Sequence, residues 1–207
     1  MVTADDNTPH PSQILNFWFS DGLELGWPST SKSDLWWGGG PALDLSIKTQ
    51  FGAGVQQAVA GGLQDWEAAP LNRLALVILL DQFSRNVYRG SSQAFAGDGR
   101  SQQLVMDGLA LKMDAQLPWC GRAFFYMPLM HCEDLAYQDE CVKRFGQLHQ
   151  DGPEAHKAEL LSNLKFARDH RDIIARFGRF PYRNAVLGRT NTALEDDFIK
   201  TGPRFGQ

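Results

Sequence analysis

The sequence lacks most of the features by which a functional class is recognised. No apolar run approaches the roughly 18 residues that a membrane-spanning helix needs, and the polar, acidic N-terminus does not resemble a secretory leader. The formal net charge of -4 gives no electrostatic case for nucleic acid or an anionic membrane. The three cysteines have no C-x-x-C spacing, which argues against a disulfide framework or a structural zinc site. We therefore expect a cytoplasmic protein that binds neither nucleic acid nor membrane.

Motifs of the common enzyme classes are also missing. The chain contains no G-K-[ST], G-x-S-x-G, H-E-x-x-H or E-x-x-H segment. This argues against a P-loop nucleotide site, a nucleophile-elbow hydrolase, a zincin and a di-iron bundle. Gly97 and Gly99 lack the third glycine and the preceding strand of a dinucleotide-binding fingerprint. The sequence thus indicates no metal site and leaves any cofactor unknown.

Helical periodicity is what the sequence does show. One helix face is marked by apolar residues at four-residue steps, namely Ile47, Phe51, Val55 and Val59. No segment alternates apolar and polar residues in the way a half-buried strand does. The length of 207 residues and the hydrophobic content of 43% suit one core. We predict an all-α fold of antiparallel helix pairs, with residues 1–207 forming a single domain and residues 1–11 flexible.

Helix starts and stops can be placed from capping residues, prolines and glycines. Besides the helix through Ile47 to Val59, the later predicted helices cover residues 70–88, 98–112, 128–148, 153–177 and 192–199. The stretch from Leu74 to Leu80 is apolar on every side, which predicts a central buried helix. Thr192 and Glu195 form the T-x-x-E pattern of a capping box at the start of the last helix.

Three candidate site residues stand at the C-terminal end of the central helix. Asp81 and Arg85 are four residues apart and Asn86 follows, so they project from neighbouring faces after several apolar turns. These groups could bind a ligand. The alternative is that Asp81 and Arg85 form an intrahelical ion pair at the rim of the protein.

A second candidate segment is F-F-Y-M-P-L-M-H-C-E-D-L, in which His131, Glu133 and Asp134 follow a core-like run. Because proline cannot continue a helix, we expect a new helix to start near Pro128, with His131 and Asp134 on one face. His131 with either carboxylate could act as a general base or a partial metal site. The alternative is a buried structural histidine beside carboxylates that favour a helix N-terminus.

A further histidine, His170, shares the apolar face of its helix with Ile173, Ile174 and Phe177. It therefore points inward. It could be a core histidine that donates one hydrogen bond, or it could converge with His131 as a second catalytic candidate.

The segment G-R-F-P-Y-R-N-A-V-L-G-R-T follows that helix and is too apolar for a free surface loop. Its aromatic residues should fix it to the core, so that Arg179, Arg183 and Arg189 project from a rigid base and Asn184 adds amide donors. Arginine suits carboxylate or phosphate recognition because its planar fork is always charged. The alternative is that the arginines pair with the protein's own acids, including Asp81, Glu133 and Asp134, in a closed ion network.

Three long segments resemble one known family. They are L-D-Q-F-S-R-N-V-Y-R-G, Y-M-P-L-M-H-C-E-D-L and H-R-D-I-I-A-R-F-G-R-F-P-Y-R-N-A-V-L-G-R. They resemble the signature stretches of the uncharacterised family catalogued as domain of unknown function 924, and the likeness extends over nearly the whole chain. The resemblance implies a tetratricopeptide-like, right-handed helical array of a kind found in bacteria and some eukaryotes, with no assigned reaction. Cys132 and Tyr182 stand where the family pattern leads us to expect serine and histidine.

Two functional hypotheses follow. In the first, the helix pairs enclose a polar pocket in which arginines bind a small anionic molecule and His131, with a carboxylate, acts on it. In the second, the protein is an interaction module that binds a peptide through an arginine-lined face. Because both histidines lie on apolar faces, the pocket is the favoured hypothesis.

Overall fold

The computed structural model describes residues 8–203, which contain no β-strand, and the predicted all-α fold is confirmed. Within this range the chain divides into two compact units, which are described separately. Unit 1 comprises residues 8–89 and 93–128, and unit 2 comprises residues 90–92 and 129–203. The flexibility predicted for residues 1–11 falls mostly outside the described residues, and Pro9 is buried.

Unit 1 is built from short and medium helices. They are α1 (Pro11–Phe19), α2 (Gly22–Leu25), α3 (Pro41–Val59), α4 (Pro70–Val77), α5 (Ser84–Val87), α6 (Asp98–Ala110) and α7 (Trp119–Met130, whose last two residues fall in unit 2). Helices α4 and α5 are joined without a break by the π-helical segment Ile78–Phe83. The three together form one central helix over residues 70–87. Proline stands in the first turn of α1, α3 and α4, where its missing N–H costs no hydrogen bond.

The central helix is buried on every side, as its sequence predicts. All residues from Leu74 to Leu80 have no exposed side-chain surface. Phe83 extends this core, because its ring stacks on Phe51 at 4.8 Å and meets Phe17 and Trp18 edge-on at 5.8 and 5.4 Å. Aromatic pairs of this geometry add to the stability that burial alone provides.

The tryptophans of the loop before α3 also pack on this core. Trp36 lies 4.8 Å from Phe124 between ring centroids and donates from Nε1 to the Trp18 carbonyl at 3.0 Å. Trp37 stacks on the same Phe124 ring at 5.9 Å, although 58% of its side chain is exposed. This loop is therefore held to unit 1 by aromatic contacts.

Unit 2 contains α8 (Leu135–Asp151), α9 (Lys157–Phe177) and α10 (Ala193–Thr201). Helices α8 and α9 pack as an antiparallel pair, since Arg171 near the end of α9 binds Asp139 near the start of α8 at 2.9 Å. At the C-terminal end of α9, Ile173 and Ile174 form an apolar cluster with Phe180, to which Phe177, Tyr182 and Phe198 add. The antiparallel pairing predicted from the sequence is thus present in α8 and α9. The right-handed repeat array and the single-domain boundary stay predictions.

The expected helix start near Pro128 is wrong. Pro128 lies inside α7, two residues before its end, so its missing N–H leaves one intrahelical hydrogen bond unmade and the helix continues to Met130. The next helix begins at Leu135, so residues 131–134 form a turn between α7 and α8. His131 and Asp134 consequently do not share a helix face.

No helix within residues 8–203 combines the length and the apolar character needed to span a lipid bilayer.

Candidate functional site

The turn 131–134 in unit 2 carries three of the predicted site residues. Asp134 is the N-cap of α8, and its Oδ1 accepts hydrogen bonds from the backbone N–H groups of Ala136 and Tyr137 at 2.8 and 3.2 Å. Such a cap satisfies donors that a helix start otherwise leaves unpaired. Asp134 therefore fixes where α8 begins, and its carboxylate is engaged by backbone.

Two buried side chains hold this turn in place. Gln138, which has no exposed surface, donates from Nε2 to the carbonyls of Met130 and Cys132 at 2.7 and 2.8 Å. Arg183 donates from Nη1 to the carbonyl of His131, between them, at 3.0 Å. Carbonyls at a helix C-terminus lack intrahelical donors, and here side chains supply them. The backbone of His131 is thereby fixed.

The imidazoles of His131 and His170 come together, with ring centroids 6.1 Å apart. His170 lies on α9 with 4% of its surface exposed, and its Nδ1 is 2.8 Å from the Phe166 carbonyl oxygen. Because a carbonyl only accepts, Nδ1 carries the proton of the neutral ring. The pKa of His170 is lowered to about 3, chiefly by burial and also by the nearby His131 and Arg183, against the hydrogen bond to Phe166, which raises it. His170 is therefore neutral at physiological pH.

Residues 178–190, here called the arginine loop, follow directly from α9. Gly178 ends the helix with φ of +69°, a conformation that glycine adopts without strain. Phe180 is fully buried, stacks on Tyr182 at 5.4 Å and meets the His170 ring at 5.6 Å. The loop is thus fixed to the core by its aromatic residues, as the sequence predicts for a loop this apolar.

Arg183 is the most buried arginine of the loop, with 3% of its surface exposed. Its guanidinium carbon lies 4.5 Å above the centre of the Phe180 ring, a cation–π contact. The charge of Arg183 acts on His170 and helps to lower the pKa of Glu133. Arg183 therefore lies close to both groups inside unit 2.

Glu133 joins the turn 131–134 to the arginine loop. Its two carboxylate oxygens accept from Arg189 Nη1 at 2.5 Å and Nη2 at 2.9 Å, and Oε1 also accepts from the Phe180 N–H at 2.8 Å. Burial alone would raise the pKa of Glu133, but the hydrogen bonds from Arg189 and Phe180 outweigh it, so the pKa is lowered. Glu133 is consequently ionised at neutral pH.

A second carboxylate binds the other end of the loop. Arg179 donates from Nε and Nη2 to Glu195 at 2.6 and 2.8 Å, and from Nη2 to the Thr190 carbonyl. Glu195 also completes the predicted capping box with Thr192 at the start of α10. The bond from Arg179 is the main reason that the pKa of Glu195 is lowered to about 2. Arg179 and Arg189 are therefore both paired with acids of the chain, and Asn184 bridges Arg189 to Asn191.

The remaining predicted residues lie in unit 1. Arg85 Nη2 is 2.8 Å from Asp98 and 3.9 Å from the buried Asp81, and the guanidinium also packs on Phe95 and donates to the Ala94 carbonyl. Asp81 stands in the π-helical segment of the central helix, a distortion that is frequent at functional sites. This cluster is separate in the chain from the groups of unit 2.

Asn86, the third predicted residue of the central helix, belongs to another contact. Its Nδ2 donates to Asp44 at 2.8 Å, and Arg89 binds the same carboxylate with two donors. Arg89 is the main reason that the pKa of Asp44 is lowered. Asn86 and Arg89 thus connect the central helix to α3.

The structure brings seven of the predicted residues together in unit 2, namely His131, Glu133, His170, Arg179, Arg183, Asn184 and Arg189. Sequence reasoning missed the roles of Gln138, Asp98 and Glu195. The capping-box pattern did point to Glu195, but only as a helix start.

Among residues 8–203 no group of three or more His, Cys, Asp or Glu side chains is arranged to hold a metal ion.

The fold and this cluster place the chain in the class of all-α proteins with a buried arginine–histidine cluster. A family model described as "Bacterial protein of unknown function (DUF924)" matches residues 14–203, and the chain belongs to this family. A solved structure, the protein of unknown function ATU0120 from Agrobacterium tumefaciens, is similar with 30% sequence identity and a TM-score of 0.77. The match covers 93% of this chain and 97% of that one. No curated protein matches the chain.

Proposed function

We propose that unit 2 binds a small anionic molecule with a carboxylate or phosphate group, beside His131 and His170. The observation that carries this proposal is that two imidazoles and the buried guanidinium of Arg183 meet within one unit. Arginine is suited to binding anionic oxygens in a sheltered place, because its charge persists and its donors are preorganised. Perturbed titratable groups grouped in this way mark candidate binding sites.

Acid–base chemistry at this site would fall to His131. A pKa of about 3 makes His170 a weak base at neutral pH, so its role is that of a neutral neighbour. Neither carboxylate predicted to assist His131 is available without rearrangement, because Glu133 binds Arg189 and Asp134 caps α8. The proposal is therefore one of binding first, with proton transfer by His131 as a second step.

A second candidate function is peptide binding by the helix pair α8 and α9. The observation that favours it is the exposure of two large apolar side chains on α9, Leu161 at 50% and Phe166 at 48%. Helix pairs of tetratricopeptide-like proteins bind peptides through such faces. A peptide that binds the wild-type chain and is lost in Phe166→Ala would support this function.

A thermal-shift titration of the full chain tests the primary proposal. Phosphorylated metabolites and organic acids are added at constant ionic strength, because a specific ligand raises Tm with concentration relative to its Kd. The variant Arg183→Gln keeps a polar side chain with amide donors but removes the charge. Arg168→Gln, an exposed position on α9, is the matched control.

We expect at least one compound to raise the Tm of the wild-type chain and of Arg168→Gln but not that of Arg183→Gln. The proposal is overturned if no anion raises Tm, or if both variants respond equally, since an equal response would be a general salt effect.

A further inference from the structure

The guanidinium of Arg189 is oriented by the arginine loop itself. Its Nε donates to the Oδ1 of Asn184 at 2.9 Å, and its Nη2 donates to the Phe180 carbonyl at 3.2 Å. Asn184 has no exposed surface and is itself held by Asn191 at 2.7 Å. Contacts within the loop therefore orient Arg189 in addition to its bonds with Glu133.

Three donors of this loop converge on one carboxylate. Nη1 and Nη2 of Arg189 and the backbone N–H of Phe180 reach the two oxygens of Glu133 at 2.5, 2.9 and 2.8 Å. A guanidinium fork combined with a backbone N–H is the arrangement by which proteins bind a carboxylate ligand. We call these three donors the anion cradle.

The occupant of the cradle comes from a different segment of the chain. Glu133 belongs to the turn between α7 and α8, is 25% exposed, and lies outside any helix. A change of its side-chain rotamer would remove the carboxylate without breaking a helix, whereas the donors would stay in place on their own supports. Occupant and cradle are thus separable.

We propose that Glu133 is an internal occupant of an anion cradle, and that the carboxylate of a small organic acid takes its place when the protein binds its ligand. This inference rests on the proposed function. It adds that the loop binds the carboxylate group of the ligand, and that Glu133 occupies the same donors when no ligand is bound. The same three donors serve the ligand and Glu133 in turn.

Electrostatics determines how the exchange can occur. Because Arg189 and Phe180 lower the pKa of Glu133, its carboxylate stays charged throughout the neutral range. A competing anion, not protonation, is therefore what displaces it. The charge of Arg183 close by favours whichever anion occupies the cradle.

Two substitutions at one position separate this idea from a simple effect of net charge. Glu133→Ala removes the carboxylate and empties the cradle. Glu133→Gln removes the same charge, but its amide oxygen keeps accepting from the Phe180 N–H. Acetate is the probe, titrated against chloride at equal ionic strength, with Tm of the full chain as the readout.

We expect acetate to raise the Tm of Glu133→Ala with a half-maximal concentration about tenfold or more below that for the wild-type chain. Glu133→Gln should respond at a concentration between those of Glu133→Ala and the wild-type chain, because its amide oxygen still occupies the Phe180 N–H but binds Arg189 without a charge. Adding Arg189→Lys to Glu133→Ala should abolish the response, because a lysine lacks the bidentate fork. Equal responses of the Ala and Gln variants, or none in Glu133→Ala, would overturn the proposal.

Glu133→Ala could also lose its cooperative transition in chloride. Recovery of that transition in acetate is then the expected result, and failure to recover overturns the cradle. The outcomes remain distinct from those of the proposed function. If acetate raises the Tm of Glu133→Ala as expected but the anion screen shifts the Tm of Arg183→Gln as much as that of the wild-type chain, only the proposed function is refuted. If Arg183→Gln loses the shift but Glu133→Ala does not respond to acetate, only the cradle is refuted.

Discussion

The central helix of unit 1 is buried and the arginine loop of unit 2 is partly buried, and different forces hold them. The central helix is surrounded by apolar side chains with no exposed surface from Leu74 to Leu80, and Phe83 continues this packing. The arginine loop has aromatic anchors as well, yet its two ends are tied by Arg179–Glu195 and Arg189–Glu133. A helix satisfies its own backbone groups, whereas an irregular loop needs side chains to do so.

The two kinds of contact differ in how easily they can be exchanged. Apolar packing depends on shape and area, so the core of unit 1 has few alternatives to its native arrangement. Ion pairs can exchange partners when another anion is present, because their N–H groups can donate to any acceptor oxygen of suitable geometry. The ends of the arginine loop are therefore held by contacts that can exchange, whereas unit 1 is held by packing.

The largest change in the free energy of unfolding is expected at Phe83, whose substitution tests whether apolar packing dominates unit 1. Phe83→Ala removes a fully buried ring that contacts three aromatic neighbours. We expect the free energy of unfolding to fall by about 3–5 kcal/mol, measured by denaturant titration. Phe166→Ala on α9, where the ring is 48% exposed, is the control and should cost far less. A loss below about 1 kcal/mol at Phe83 would contradict a packing-dominated unit 1.

The apolar core was the part of the fold that sequence could predict. Periodicity placed the central helix, and the T-x-x-E pattern placed the start of α10. The sequence did not predict α7, because a proline usually breaks a helix, whereas Pro128 lies in the last turn of this one. The π-helical segment Ile78–Phe83 was also not predictable, since it depends on packing around the helix and has no sequence pattern of its own.

A smaller effect is expected where a buried charge holds the loop. Glu195→Gln weakens the two-donor contact with Arg179, at a carboxylate that is only 2% exposed. We expect a loss of about 1.5–3 kcal/mol in the free energy of unfolding. If the pair acts as a unit, Arg179→Gln in the Glu195→Gln background should add little further loss in a double-mutant cycle. Full additivity would show that the pair does not hold the loop.

The candidate site was predictable in its residue types but not in its pairing. The aromatic content of residues 178–190 correctly indicates a fixed loop, and His170 lies against the apolar Phe180 as expected, whereas His131 lies in a turn and not on an apolar helix face. Sequence could not show which acid each arginine binds, because Glu133 is 56 positions from Arg189. Nor could it show that Asp134 caps α8, since the start of that helix was misplaced.

A pH titration sharpens the comparison further, because His170 lies against the arginine loop. Its folded pKa of about 3 is below the ordinary value of 6.5, so the unfolded chain binds a proton that the folded chain does not. The resulting stability is present above pH 6.5 and is lost as the pH falls toward 3. We expect about 1 kcal/mol of loss between about pH 6.5 and 5.5.

His131 and Arg183 both act on His170 electrostatically, and both oppose its protonation. His170→Gln should therefore flatten the pH dependence, measured by denaturant titration at each pH. Equal slopes in the wild-type chain and His170→Gln would mean that His170 is not the group responsible.

The smallest effect separates burial from ion pairing as the cause of loop stability. Asp197 is two residues from Glu195 on α10 and binds Lys200 at 2.7 Å, but both partners are exposed, at 75% and 69%. Solvent screens such a pair, so Asp197→Ala should change the free energy of unfolding by less than about 0.5 kcal/mol. The two acids share a helix and each has a cationic partner, and the difference in expected loss therefore measures what burial contributes. If Asp197→Ala cost as much as Glu195→Gln in parallel denaturant titrations, ion pairing alone would account for unit 2, and the arginine loop would lose its distinction from any charged surface.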